Sequence, residues 1–153
     1  MHTLIKHAVV PEGLVPTYAI DMFRSCSVLE TIDFKGFKPS YFERIAYDCA
    51  RLKKVINLDL ANAKRITYLF GVSTGPANTS ITYIDLRNLG QSTLTSYDFS
   101  DVGNWGVGTE EDRQSLIDSL IVNSYDRAGN GKSAVTVKLS ATTKAVLTES
   151  EIA

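Results

Sequence analysis

Three stretches decide how this chain is read: 29–37 (LETIDFKGF), 55–63 (VINLDLANA) and 81–89 (ITYIDLRNL). Each follows apolar-x-x-apolar-Asp-apolar-x-x-apolar, and each begins 26 residues after the last, so Asp33, Asp59 and Asp85 share one slot. Self-similarity at such a period is the signature of a solenoid. One unit cannot bury its apolar stripe alone, whereas stacked units bury a continuous core. The spacing predicts Ile32, Leu58 and Ile84 side by side on adjoining parallel strands.

Composition bounds the rest. The 153 residues are 44% apolar and 22% charged, an ordinary globular balance with enough apolar material for one core. A net charge of -1 argues against a nucleic-acid partner, because phosphate binding needs a basic face. No apolar run approaches the ~20 residues of a membrane-spanning helix, so no membrane insertion is expected. The opening MHTLIKHAVVPEGL lacks the long apolar core of a signal peptide. The chain is therefore expected to fold in a cytosol or to be part of something longer. Cys26 and Cys49 each stand three residues before a Leu (Leu29, Leu52). Stacking would bring them close; a bridge is conceivable, and buried thiols are the simpler reading.

The expected organisation is an N-terminal arm over 1–7, coils over 8–91 and a strand-helix-strand-helix cap over 92–153. Pro11 to Gly13 close a brief first strand. Phe42, Ile45, Ala46, Cys49 and Leu52 fall at helical spacing, which predicts an amphipathic helical segment over 41–52 on the outer side of the coil. Residues 71–80 (GVSTGPANTS) are turn-rich and form a loop where binding residues could sit; the sequon Asn78-Thr79-Ser80 within it is read as chance. Tyr97-Asp98-Phe99 returns to the motif too early for a full coil. Thr109 offers a helix N-cap with Glu110, Glu111 and Asp112 in the first turn. Leu116, Ile117, Leu120 and Ile121 form that helix's stripe, and Gly129 ends it. Val135 and Val137 alternate with polar neighbours in a last strand, a short helix spans 143–147, and Thr148-x-x-Glu151 is a capping box.

Val9-Val10-Pro11-Glu12-Gly13, then Met22-Phe23-x-x-Cys26-x-x-Leu29-x-x-Ile32-x-Phe34, closely resembles the BspA-like leucine-rich repeat. The match covers 8–89, clean in the first unit and degenerate later, where Tyr47-Asp48-Cys49 lacks the Phe step and Phe70 its Cys. Residues 113–153 are similar to a segment closing such repeats in proteins of gut bacteria and their phages. The resemblance implies an α/β fold, a short leucine-rich-repeat solenoid with parallel strands on one face, helices or loops on the other and an α/β C-terminal cap. It also implies surface-displayed adhesion or recognition, with no enzymatic activity and no cofactor.

The residues themselves offer little chemistry beyond binding. Gly129-Asn130-Gly131-Lys132-Ser133 resembles the end of a phosphate loop, but Asp126 stands where a Gly is required and the run leaves a helix for a strand, so it is a C-cap and turn. His2 and His7 are the only histidines, no Cys or His cluster has metal spacing, and nothing sets a base beside a nucleophile. No catalytic, cofactor or metal residue is expected. The expected binding face is the outward set Thr31, Asp33, Lys35, Asn57, Asp59, Tyr83, Asp85 and Arg87. Three stacked carboxylates repel unless Lys35, Arg87 or a cation intervenes; the slot is either a polar-ligand or cation site or simply solvated. Trp105, in the turn-rich 103–108, is either a contact hot spot or a lid on the core. Export of such adhesins needs a leader, which tips the expectation toward a phage virion (tail or fibre) component that contacts a host surface. A bacterial cell-surface adhesin and a structural virion docking protein are the alternatives. The expected partners are a protein or glycan on a host surface, or other virion proteins.

Overall fold

The structure, a computed structural model, describes residues 4–75, 77–122 and 129–152. It is a solenoid of parallel strands with about three turns. One sheet holds β1 (His7–Val9), β3 (Thr31–Asp33), β5 (Lys54–Asp59) and β7 (Tyr83–Arg87) in that order, and a second holds β2 (Tyr18–Ile20), β4 (Tyr41–Glu43) and β6 (Arg65–Thr67). The sheets share one dry core that includes Leu29, Ile32, Phe34, Phe42, Leu52, Val55 and Ile84.

The register departs from a uniform period. His7 faces Thr31, Thr31 faces Lys54 and Lys54 faces Tyr83, steps of 24, 23 and 29 residues. Val55, not Leu58, stands between Ile32 and Ile84, while Leu58 faces Leu86. Two features shift the frame. The third coil carries the long loop over 71–80, and β5 bulges between Val55 and Leu58, where Asn57 adopts φ 58°. Asn tolerates this left-handed conformation better than most residues, which suits it to the extra position of a bulge.

Residues 41–52 are not helical. The chain makes β4 and then a run of tight turns with Arg44 at φ 45° and Asp48 at φ 59°. Phe42, Ile45, Ala46, Cys49 and Leu52 are nevertheless all buried. Left-handed residues re-aim the backbone every few positions, so inward side chains recur at the spacing a helix would give. The backbone bonds run to the next coil instead of along the segment: the N–H groups of Arg44, Ala46 and Asp48 donate to Thr67, Leu69 and Gly71 at 3.0, 2.9 and 2.9 Å. The preceding coil repeats the scheme, with Asp21, Phe23 and Ser25 donating to Glu43, Ile45 and Tyr47.

The C-terminal part closes one end of the solenoid. β8 (Ser96–Phe99) pairs in parallel with β9 (Thr136–Leu139), and α1 (Glu110–Ile117), continued by a π-helical turn over Asp118–Val122, packs on β7. Thr109 caps α1 in a reciprocal box with Asp112. Its inward face is Leu116 and Leu120 together with the polar Asp112, Ser115 and Ser119, whereas Ile117 and Ile121 are half-buried. The Ser119 hydroxyl accepts from the Leu86 N–H and donates to the Ile84 carbonyl, both at 2.9 Å, so a side chain completes the last strand edge. Gly106 (φ 82°) lies where a Cβ would meet Leu116 Cδ2 at 2.8 Å, which lets the 103–108 turn close against α1. Two short helices follow, α2 (Ala141–Lys144) and α3 (Glu149–Ile152). Half of the expected capping box forms there: Glu151 accepts from the Thr148 N–H and hydroxyl at 2.7 and 2.9 Å, but its own N–H donates to the Thr148 carbonyl at 3.0 Å and not to the hydroxyl. His2, Asp126 and the stretch leading to Gly129 lie outside the described residues.

β1 and β2 are outermost in their sheets, and the first coil exposes Leu4, Ile5, Val9, Leu14, Val15, Tyr18, Ile20 and Met22.

Candidate functional site

The outer face of the first sheet carries the expected column, rearranged by the bulge. Asn57, not Asp59, stands between Asp33 and Asp85. Its side-chain amide donates to Asp33 Oδ1 at 2.7 Å and its backbone N–H to Asp85 Oδ2 at 3.1 Å. Arg87 pairs with Asp85 at 3.0 Å, while Lys35 adopts φ 44° and gives its backbone N–H to Asp33. An amide and a guanidinium thus answer the like-charge repulsion of stacked carboxylates.

Asp59 and Trp105 do not belong to an exposed face. Asp59 is 4% exposed. Its carboxylate accepts from Asn88 Nδ2 at 2.8 Å and from the Ala61 N–H at 2.9 Å, and it pairs with Lys38 at 3.1 Å. Past the bulge its register partner is Arg87 instead of Asp85, and Lys38, Asn88 and the Ala61 turn cover it. Trp105 is fully buried with its ring edge-on to Phe99 at 5.4 Å, so it fills the core at the capped end. Thr31 lies in the row His7–Thr31–Lys54–Tyr83. Lys54 there sits over the Tyr83 ring at 4.9 Å and reaches Glu111 at 3.2 Å. Burial and the neighbouring Asp85 raise the Tyr83 hydroxyl above its ordinary pKa.

The second sheet presents a surface that the repeat pattern did not single out. Tyr18 stacks on Tyr41 at 4.9 Å, and Arg65 lies over Tyr41 at 5.8 Å. Arg44 holds Asp21 with two bonds of 2.9 and 3.1 Å and also pairs with Glu43, which Arg65 reaches at 3.2 Å. The Arg44 bond holds the Asp21 carboxyl below its usual range.

Beyond β6 the second sheet breaks. β8 lies against β6 without joining its ladder and pairs with β9 instead. A cleft of about 420 Å³ opens there, walled by Tyr47, Thr67, Tyr68, Gly71, Asp98 and Asp101. A Cβ on Gly71 would meet the Tyr47 ring at 2.9 Å, so the glycine permits that ring to lie against the backbone. Asp101 accepts from the Phe70 N–H at 3.1 Å, and burial pushes its carboxyl up to about 6. The only advance signal for this cleft was the turn-rich loop itself; Tyr47, Tyr68 and Asp101 come from separate coils and share no motif.

Asn78 is buried, its amide donating to the Cys49 carbonyl at 3.2 Å, which removes it as a sugar acceptor. Lys132 reaches the backbone carbonyls of Gln91 and Ser92, as a residue in a turn does. Cys26 and Cys49 are not bridged. The Cys49 thiol donates to the Phe23 carbonyl, and burial pushes it up to about 12. Among the described residues, no group of three or more His, Cys, Asp or Glu side chains could hold a metal ion, and no helix is long and apolar enough to cross a membrane. Compared with family models, curated proteins and solved structures, the chain matches none of them.

Proposed function

We propose that this chain is a non-enzymatic recognition module, serving in a phage virion as part of a tail or fibre that touches a host surface. The observation that carries the binding reading is the hydrogen-bonded column Asp33–Asn57–Asp85–Arg87, delivered by three successive coils onto one face. Stacked repeats offer partners an extended surface of this kind. Adhesion as the class of function draws on the resemblance of 8–89 to BspA-like leucine-rich repeats. Placement in a virion draws on the likeness of 113–153 to segments from gut bacteria and their phages. The partner in this reading is a protein or glycan on the host; a bacterial cell-surface adhesin would use the same face.

The test is adsorption of fluorescently labelled chain to intact cells from a panel of gut bacteria. Saturable adsorption to at least one strain is expected, weakened about tenfold (~1.4 kcal/mol) in the Asp85→Ala/Arg87→Ala variant. Wild-type chain that adsorbs to none of them sinks the recognition reading. A double variant that adsorbs equally well removes this column as the contact.

One observation favours a second, structural reading. The first coil exposes Val9 (63%) on β1 and Tyr18 (61%) on β2, strands with no outer neighbour among the described residues, a surface suited to docking on another virion protein. Tyr18→Glu/Ile20→Glu would then abolish incorporation into particles while leaving adsorption of the free chain intact.

A further inference from the structure

The cleft between β6 and β8 is built unlike the rest of the surface. We propose that it is a saccharide-binding subsite that takes one neutral pyranose ring; the inference deepens the host-surface reading and rests on it. Its volume of about 420 Å³ lies toward the lower end of ligand pockets, which run from ~300 to 1,000 Å³. A small ligand fits it better than a polypeptide segment.

The walls have the two characters a sugar needs. A pyranose presents a C–H face that packs on an aromatic ring and a rim of hydroxyls that seek paired donors and acceptors. Tyr68 supplies the ring: it is 65% exposed and holds φ 49°. The same left-handed slot one and two coils earlier holds Arg44 and Asp21, which spend their side chains on each other. Placing a bulky tyrosine in that conformation and leaving it in water is costly for the fold alone. Tyr47, fixed against Gly71, forms a second apolar wall. Thr67, Ser100, Asp98 and Asp101 bring hydroxyl and carboxylate groups around them. Asp101 Oδ1 lies buried without a hydrogen-bond partner among the described residues, an acceptor in a residue that lines the cleft.

Charge selects a neutral ligand over a cationic one. Tyrosine rings with carboxylates could also hold an ammonium group. Here the cations are already supplied by the chain: Lys138 pairs with Asp98 at 3.1 Å, and Arg24 lies over the Tyr47 ring at 5.7 Å. A second cation would meet both.

The test titrates isotope-labelled full-length chain with the methyl glycosides of glucose, galactose and N-acetylglucosamine, one at a time in the millimolar range, followed by amide NMR. At least one is expected to move the signals of 66–72 and 98–101 saturably. Tyr68→Asn, which keeps a residue that tolerates the left-handed slot, should weaken that binding at least tenfold with the spectrum otherwise preserved. Lys144→Ala, an exposed position in α2 away from the cleft lining, should leave it unchanged. No saturable movement with any glycoside overturns the proposal, as does movement with tetramethylammonium in their place, or Tyr68→Asn that binds as well as wild type. Cells that adsorb the chain while no glycoside enters the cleft refute the subsite and leave the recognition reading standing. A glycoside in the cleft with no adsorption to any cell does the reverse.

Discussion

Asn57 donates its side-chain amide to Asp33 across adjacent coils, and that bond occupies a position where a third carboxylate would repel its neighbours. Its own N–H, freed from the ladder by the bulge, goes to Asp85. One residue therefore joins two acids that would otherwise face each other across a coil. Asn57→Asp keeps the left-handed conformation accessible, so it isolates the electrostatic term. It should lower stability by about 2–4 kcal/mol at low salt, through a lost charge-assisted bond and new like-charge contacts. Part of that loss should return in high salt. Urea denaturation measures it, and a variant that unfolds at the wild-type midpoint would show that Asn57 does not hold the column.

Asp101 gives the chain a pH dependence of known sign. Burial lifts its carboxyl from 3.8 to about 6, so the folded state holds the proton more tightly than the unfolded one. Its ionisation removes stability as the pH rises from about 4 to 6, by at most ~3 kcal/mol. Asp101→Asn retains an acceptor for the Phe70 N–H and removes the charge. The variant should melt above wild type at neutral pH, with the gain shrinking to nothing below about pH 4. Melting curves that run parallel across that window would refute the assignment.

The strands β3, β5 and β7 were legible in the sequence because apolar residues alternate with polar ones around each Asp, and burial on one face leaves that mark whatever the register; β2, β4 and β6 carry no such mark, and the second sheet was not legible. The register itself was not legible. In Val55-Ile56-Asn57-Leu58-Asp59-Leu60 two frames present an apolar residue to the core, and Leu58-Asp59 copies Ile32-Asp33 more closely than Val55-Ile56 does. The inserted 71–80 loop then restored an apparent period of 26 by offsetting a short step with a long one. The helix over 41–52 failed for a related reason: spacing reports which side chains point inward, and alternating left-handed turns produce the same spacing as 3.6 residues per turn. The column around Asn57 was partly visible, with Asp33 and Asp85 in place and Asp59 misplaced. The cleft was not, since its residues meet only after the coils stack.

Thiol chemistry should separate the two cysteines. Cys49 is fully buried, its Sγ bonded to the Phe23 carbonyl and its pKa pushed up to about 12. A thiol at that value carries almost no thiolate at neutral pH, and the thiolate is the reactive species. In a titration with an aromatic disulfide reagent, Cys49 should react only at the rate of unfolding, and denaturant should release it. Cys26 is part-exposed and should react first. Equal rates for both in the native chain would mean that the coil over 41–52 opens far more often than its bonds to the next coil allow.

Ser119 explains why one end of the solenoid is closed and supplies the last test. β7 is the final strand of its sheet, and a buried edge with unanswered N–H and C=O groups would cost about 1–3 kcal/mol for each orphan. Ser119 answers the Leu86 N–H and the Ile84 carbonyl with one hydroxyl, which is why a helix read as purely apolar on its inner face carries a serine there. Ser119→Ala removes both bonds while adding no bulk, so the loss should be about 2–4 kcal/mol, larger than a surface serine would give. The Leu86 amide should exchange with deuterium correspondingly faster, while the amides of β3 change only as global stability does. If Leu86 keeps its full protection, α1 covers β7 by apolar contact alone and the serine is incidental.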